Sequence, residues 1–234
     1  LEDLTMTAID ATMTRTHATR TLGALAVELP GATAVFRRYR LDFCCGGQQT
    51  LAEACAGKGL DAQAVLAELD ALDRGAPPEA PEETGALIDH LLSHYHEVHR
   101  RQLPELQRMA RRVEAVHRDH PQVPIGLTAL LEDIEAEMLE HMAKEEQILF
   151  PLLRAGGHPG VVHPIAVMRH EHDAHGERLR ALLDLTADFT PPADACTTWR
   201  ALYAAGRQFV DDLMQHIHLE NNLLFPPFEA GAGR

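Results

Sequence analysis

The sequence predicts an all-α protein: an antiparallel four-helix bundle preceded by a small helical domain that contains cysteines. Three observations predict it. Alternating runs of β-branched residues, the mark of strands, are missing. Four long stretches of helical periodicity follow one another from about residue 84, joined by short Pro- and Gly-containing connections. An eleven-residue pattern, H-x-x-x-E-x-x-x-L-F-P, also occurs twice there, at His141–Pro151 and His216–Pro226, with a constant offset of 75 residues. The bundle therefore reads as two related helical hairpins.

The elements follow in order. Residues 1–16 are rich in Thr and Ala, without a period. The small domain is expected over residues 17–73. Leu22, Leu25, Ala26 and Leu29 mark its first helix, stopped at Pro30-Gly31. Val35 and Phe36 mark a second, and Leu51 to Cys55 a third. Asp61 is placed to cap a fourth, whose apolar face is Val65, Leu66 and Leu69. Residues 74–83 read as a Pro/Gly linker, and residues 84–230 as the bundle. Its helices are expected over about 84–117, 126–153, 164–185 and 194–224.

Composition bounds the function. The chain has 234 residues, 45% hydrophobic and 24% charged, enough to bury a real core. A net charge of −14 opposes general binding to nucleic acid or anionic membranes. No apolar run is long enough to span a bilayer. The first residues lack the order of a secretory signal, and the four cysteines lack disulfide-framework spacing, so a reducing cytoplasm is expected. Histidine is overused: fourteen of fifteen lie after residue 89.

His and Glu four apart share one helix face. In the second bundle helix the apolar stripe runs Ile134, Met138, His141, Glu145, Ile148, Leu152. In the fourth it runs Leu202, Phe209, Leu213, His216, Glu220, Leu223. Two carboxylates thus point into one core, and neither stripe shows a Lys or Arg to balance them. Hydrogen bonds within each His–Glu pair are one solution. Two divalent cations, bridged by both carboxylates, are a better one for two copies. The third helix centres His172 on its stripe, with His175 near the same face and His170 pointing to solvent. In the first, periodicity centres His99 and puts His96 at the edge. The separation of 76 residues from His96 to His172, close to the repeat offset, favours His96. Four imidazoles and two carboxylates without thiolate suit iron, and argue against structural zinc. The metalloprotease pattern H-E-x-x-H is absent.

Three segments carry a family resemblance: Asp42-Phe-Cys-Cys-Gly-Gly, Lys144-Glu-Glu-Gln-Ile-Leu-Phe-Pro and Ala195-Cys-Thr-Thr-Trp199. The bundle resembles a hemerythrin-like domain. Over roughly residues 20–228 the chain resembles the RIC-type (repair of iron centres) iron–sulfur cluster repair proteins, a bacterial di-iron family. The resemblance implies two iron ions, oxo- or hydroxo-bridged, on His96, His141, Glu145, His172, His216 and Glu220. It implies a role for Cys44 and Cys45 in redox chemistry, nitrosation or iron hand-off. Adjacent cysteines are not expected to chelate one ion together, and small buried residues in a turn before Gly46-Gly47 are the plainer reading. Cys55 and Cys196 read as packing residues, and His117 and Glu114 as surface groups or secondary metal contacts.

The expected function is repair of clusters damaged by nitrosative or oxidative stress, by donation of iron to damaged or apo iron–sulfur proteins. Two other readings are kept: a di-iron nitric oxide reductase or peroxidase-type enzyme, and a sensor that binds nitric oxide or dioxygen. A homodimer is left open.

Overall fold

A computed structural model describes residues 17–72 and 80–230. The expected linker's residues 74–79 and the Thr- and Ala-rich start lie outside the described residues. Every named element among the described residues is helical, and the one β feature is an isolated bridge from Thr21 to Thr50. Contacts group the chain into two units. One extends to Pro81 and also includes Ile217–Leu223; the other holds Glu82–His216 and the chain from Leu224. Among the described residues, no helix is long and apolar enough to cross a membrane.

In the first unit the helices begin and end where local chemistry dictates. Thr21 caps α1 (Leu22–Glu28), its hydroxyl accepting from the Ala24 N–H. Gly31, at φ 87°, opens α2 (Ala32–Arg38). Thr50 and Glu53 form a capping box on α3 (Leu51–Lys58), which stops at Gly59 with φ 64°. The Asp61 carboxylate accepts from the Gln63 N–H at 2.9 Å and starts α4 (Ala62–Asp70). The loop between α2 and α3 returns to the start of α1. There the Leu22 and Gly23 N–H groups, which a helix start leaves unpaired, donate to the Gln49 and Gly47 carbonyls.

The second unit is built of long helices. α5 comprises Thr84–Leu91, a π-turn at Leu92–His96, and Glu97–Val116. α6 comprises Leu127–Lys144, a π-turn at Glu145–Leu149, and Phe150–Arg154. A 3-10 turn at Pro159–Val161 leads into α7 (Val162–Leu185). α8 runs Thr197–Leu219 into a third π-turn at Glu220–Leu224, and α9 is Pro226–Ala230. Neighbours are antiparallel. His96 meets Glu146 while Arg111 meets Glu132, and Glu171 meets His141 while Arg178 meets Glu137. Glu114, expected to be a surface group or metal contact, instead caps α6. Its carboxylate accepts from the Gly126 and Thr128 N–H groups and from the Thr128 hydroxyl.

The π-turns shift the apolar stripes by one residue. In α6 the straight-helix stripe placed Ile148 and Leu152 inside. Ile148 is 56% exposed and Leu152 half-buried, while Leu149 and Leu153 are buried. The Phe150 N–H bonds back five residues to the Glu145 carbonyl, which inserts the extra residue. In α8, likewise, Leu224 is buried and Leu223 only half-buried. In α5, Leu91 and His96 share the buried face across the turn, while Leu92 and Tyr95 are half-buried.

Between α7 and α8 the chain turns through three left-handed residues, Ala187, Asp188 and Phe189. The Thr186 hydroxyl fixes this turn, donating to the Leu182 carbonyl and accepting from the Phe189 N–H. The Phe189 ring lies against α8 where Gly206 leaves room; a Cβ there would fall 2.2 Å from its Cε1. Gly206→Ala is therefore expected to lower stability by about 1–3 kcal/mol through overpacking, with helix content unchanged. Urea unfolding followed by circular dichroism measures both.

Candidate metal centre

The structure brings six predicted residues together. His96 ends the α5 π-turn. His141 and Glu145 lie one turn apart on α6, and His172 lies midway along α7. His216 and Glu220 lie one turn apart on α8. All six are buried, none more than 2% exposed. Their donor atoms form two groups, each able to hold one ion: His96, Glu145, His216 and Glu220; and His141, Glu145, His172 and Glu220. Both carboxylates belong to both groups.

The spacing fits a pair of first-row metal ions. The His96 and His216 Nε2 atoms are 3.2 Å apart, as are those of His141 and His172. Two nitrogens at right angles around an ion, each on a bond of ~2.1 Å, would be ~3.0 Å apart. Glu145 then reaches both groups: Oε2 lies 3.4 Å from His96 Nε2, and Oε1 lies 3.4 Å from His141 Nε2. One carboxylate thus offers one oxygen to each imidazole pair, the arrangement of a bridging ligand.

The far sides of the rings are also set. His96 Nδ1 donates to Glu146 at 2.8 Å, and Glu146 also takes a bond from Arg100 at 2.7 Å. His141 Nδ1 donates to Glu171 at 2.8 Å, and Glu171 takes a bond from Lys144 at 2.7 Å. An acceptor at Nδ1 fixes the proton there and turns the Nε2 lone pair inward. The His141 hydrogen bond, aided by Lys144, holds the Glu171 carboxyl down at about 2 although burial opposes it. Burial would raise Glu146, but the bonds from His96 and Arg100 outweigh it. Sequence reasoning missed both acids. Each is adjacent in the chain to a residue of the centre, Glu146 after Glu145 and Glu171 before His172, and that adjacency was the available signal.

The repeat is not symmetric at this level. The offset that carries Glu145 to Glu220 carries Glu146 to Asn221, and the one that carries His172 to His96 carries Glu171 to Tyr95. The Tyr95 ring stacks on His216 at 5.6 Å, and Phe225 stacks on His172 at 6.0 Å.

His99 and His175 are buried but belong to neither group. His99 Nδ1 faces Gln102 Oε1 at 3.2 Å, and its ring lies on His216 and Phe209. His175 meets the His141 ring edge-on at 4.9 Å. Burial, then the neighbouring histidines, lower its pKa to about 3, so it is a neutral wall of the site. His170 is exposed.

Cys44 and Cys45 lie on the α2–α3 loop of the first unit. Cys44 is buried and Cys45 half-buried, and their sulfurs are 3.6 Å apart without a disulfide. The Cys45 hydrogen bond, burial and Asp42 all raise the Cys44 pKa, so it is a thiol at neutral pH. Cys55 is buried. Cys196 Sγ lies 3.2 Å from His117 Nε2, beside the Trp199 ring.

Two mutational outcomes follow. His96→Ala should strip metal from the purified protein, while His99→Ala leaves its metal content unchanged; elemental analysis reads both. Glu146→Gln and Glu171→Gln should each weaken metal binding about 10–100-fold, measured by competition with a chelator.

Comparison with known proteins agrees with this geometry. Residues 87–228 match the hemerythrin HHE cation binding domain, and residues 18–73 match ScdA_N, a domain of unknown function. The iron-sulfur cluster repair protein YtfE of Dickeya chrysanthemi (strain Ech1591) is 50% identical over 212 residues, covering 88% of this chain and 95% of that one. YtfE of Citrobacter koseri is 49% identical over 213 residues, covering 90% and 96%. The chain therefore belongs to the family of these iron-sulfur cluster repair proteins, in which a ScdA_N domain precedes a hemerythrin HHE cation-binding domain.

Proposed function

We propose that this protein restores damaged iron–sulfur clusters by donating iron from a di-iron centre on His96, His141, Glu145, His172, His216 and Glu220. One observation carries the reading: Glu145 presents its two oxygens to two separate pairs of imidazole Nε2 atoms. That donor set suits two cations better than it suits hydrogen bonds within each His–Glu pair. The relatives' names supply the client class, iron–sulfur proteins. Imidazole and carboxylate donors suit iron, and their total of six across two ions leaves positions for an oxo or hydroxo bridge. Bound there, iron would supply an exchangeable redox metal open to small ligands such as nitric oxide or dioxygen.

The chain's own residues set how such a centre is held. Glu146 and Glu171 hold one imidazole of each group in the tautomer that presents Nε2 inward. Arg100 and Lys144 lie on those acids and keep them ionised. His175, uncharged, closes one side. The acidic surface suits docking to a basic client, and the cysteines suit a reducing cytoplasm.

Iron transfer tests the proposal. Protein loaded with iron(II) is mixed anaerobically with an apo-ferredoxin and sulfide, and cluster formation is followed by visible absorption. The wild type is expected to restore the cluster, and Glu145→Ala to perform no better than buffer. Normal transfer by Glu145→Ala, or protein isolated anaerobically with well under one iron per chain, would overturn it.

A further inference from the structure

Outside the His–Glu groups, the described residues hold one more set of convergent metal donors: Asp42, Cys44 and Cys45, in the first unit. We propose that this loop is a second, mononuclear metal site, taking one four-coordinate divalent cation through two thiolates and a carboxylate.

The distances carry the proposal. A tetrahedral ion with metal–sulfur bonds of ~2.3 Å and a metal–oxygen bond of ~2.0 Å sets its sulfurs ~3.8 Å apart and sulfur from oxygen ~3.5 Å apart. The two sulfurs here are 3.6 Å apart, and Cys44 Sγ lies 3.3 Å from Asp42 Oδ1. Both edges match within about 0.2 Å. A disulfide would need its sulfurs at ~2.05 Å, far closer than these lie. The sequence argued against chelation by adjacent cysteines, but that argument counted the thiols alone. Asp42 supplies the third donor, with its Oδ1 beside the Cys44 sulfur.

The loop is built to hold this arrangement. The Cys45 N–H donates to Asp42 Oδ1 at 3.0 Å and fixes the carboxylate beside the sulfurs. The Cys44 carbonyl accepts from Asn221 Nδ2 at 3.2 Å. Gly46 packs against Asp42, where a Cβ would lie 3.2 Å from the carboxyl carbon. Gly47 passes so close to Phe43 that a Cβ would fall 2.6 Å from its carbonyl oxygen. Its own carbonyl accepts from the Gly23 N–H at 2.8 Å. Packing alone would explain a buried Cys44, but Asp42 and Cys45 are half-exposed, so the donor set opens to solvent on one side. Three protein donors leave the fourth position open to water or to an incoming ligand, as in sites that exchange what they bind.

Thiolates with one carboxylate select borderline and soft divalent ions: zinc(II), cobalt(II) and iron(II) rather than magnesium or calcium. That the ion carried here is iron(II) in transit rests on the repair function proposed above; the site itself rests on the loop geometry.

Cobalt(II) tests it with the full chain, iron-loaded so that the His–Glu groups are occupied. Anaerobic titration is expected to give a thiolate-to-cobalt charge-transfer band and intense tetrahedral d–d bands, saturating at one added ion per chain. The bands should vanish in Cys44→Ser/Cys45→Ser. Asp42→Asn, whose amide oxygen can still accept from Cys45, should bind at least tenfold more weakly. Unchanged iron content and circular dichroism verify the fold of each variant. A wild type without the charge-transfer band, or Asp42→Asn binding as tightly as wild type, would overturn the site. Iron(II) is expected to displace the cobalt. If cobalt binds as described and iron(II) does not compete, the site stands and iron as its cargo is overturned, whatever the apo-ferredoxin assay gives.

Discussion

Two carboxylates in an apolar helical interior are the constraint around which the bundle is organised. An ionised carboxylate taken out of water costs several kcal/mol even after the protein relaxes, and two at close range repel each other as well. Glu145 and Glu220 are fully buried, and the candidate metal-ligating side chains grouped with them are imidazoles. Neutral imidazoles would not neutralise the carboxylates; cations held between the two groups would. The rest of the centre follows. Nδ1 must carry the proton, so Glu146 and Glu171 stand behind His96 and His141. Those acids are half-buried and need counter-charges, so Arg100 and Lys144 lie over them. A charge placed at the centre is thus answered in layers out to the surface, where ion pairs cost little and contribute little.

Much of this was legible in the sequence because helices obey simple rules. Apolar spacing, caps at Thr50 and Asp61, and stops at glycine and proline located the helices of both units to within a few residues. The duplicated His–Glu pattern pointed at four of the six residues that the structure brings together, and His172 followed from its place on an unbroken helix. What periodicity could not settle was His96 against His99. The reason is the π-turn at Leu92–His96. Spacing arguments assume 3.6 residues per turn, and the wider turn changes the register midway through the window being read. The same assumption put Ile148 and Leu223 on the wrong face. Glu146 and Glu171 escaped for a different reason: they act across helices, through tertiary contacts that no single-helix pattern encodes.

The duplication also shows how a repeated unit diverges once its two copies meet different surroundings. Glu146 backs a histidine in the first copy. Its counterpart Asn221 lies in the segment Ile217–Leu223, which groups with the first unit, and its side chain binds the Cys44 carbonyl. An amide can donate to a carbonyl and a carboxylate cannot, so the substitution matches the change of partner. Tyr95, the counterpart of Glu171, meets its histidine face to face rather than through a hydrogen bond.

The π-turns at Glu145 and Glu220 also decide where these helices can change length. Each holds one residue more than a regular helix would, and all that follows is phased to it. Losing a single residue inside either turn would let the segment relax to an ordinary helix with its downstream faces kept, because Leu149 and Leu153 would then occupy the positions that a straight helix turns inward. Losing one residue from the regular stretch between two core contacts has no such outlet and would rotate everything beyond it by about 100°. One-residue deletions should therefore be selected against along the regular stretches and absorbed within the two turns.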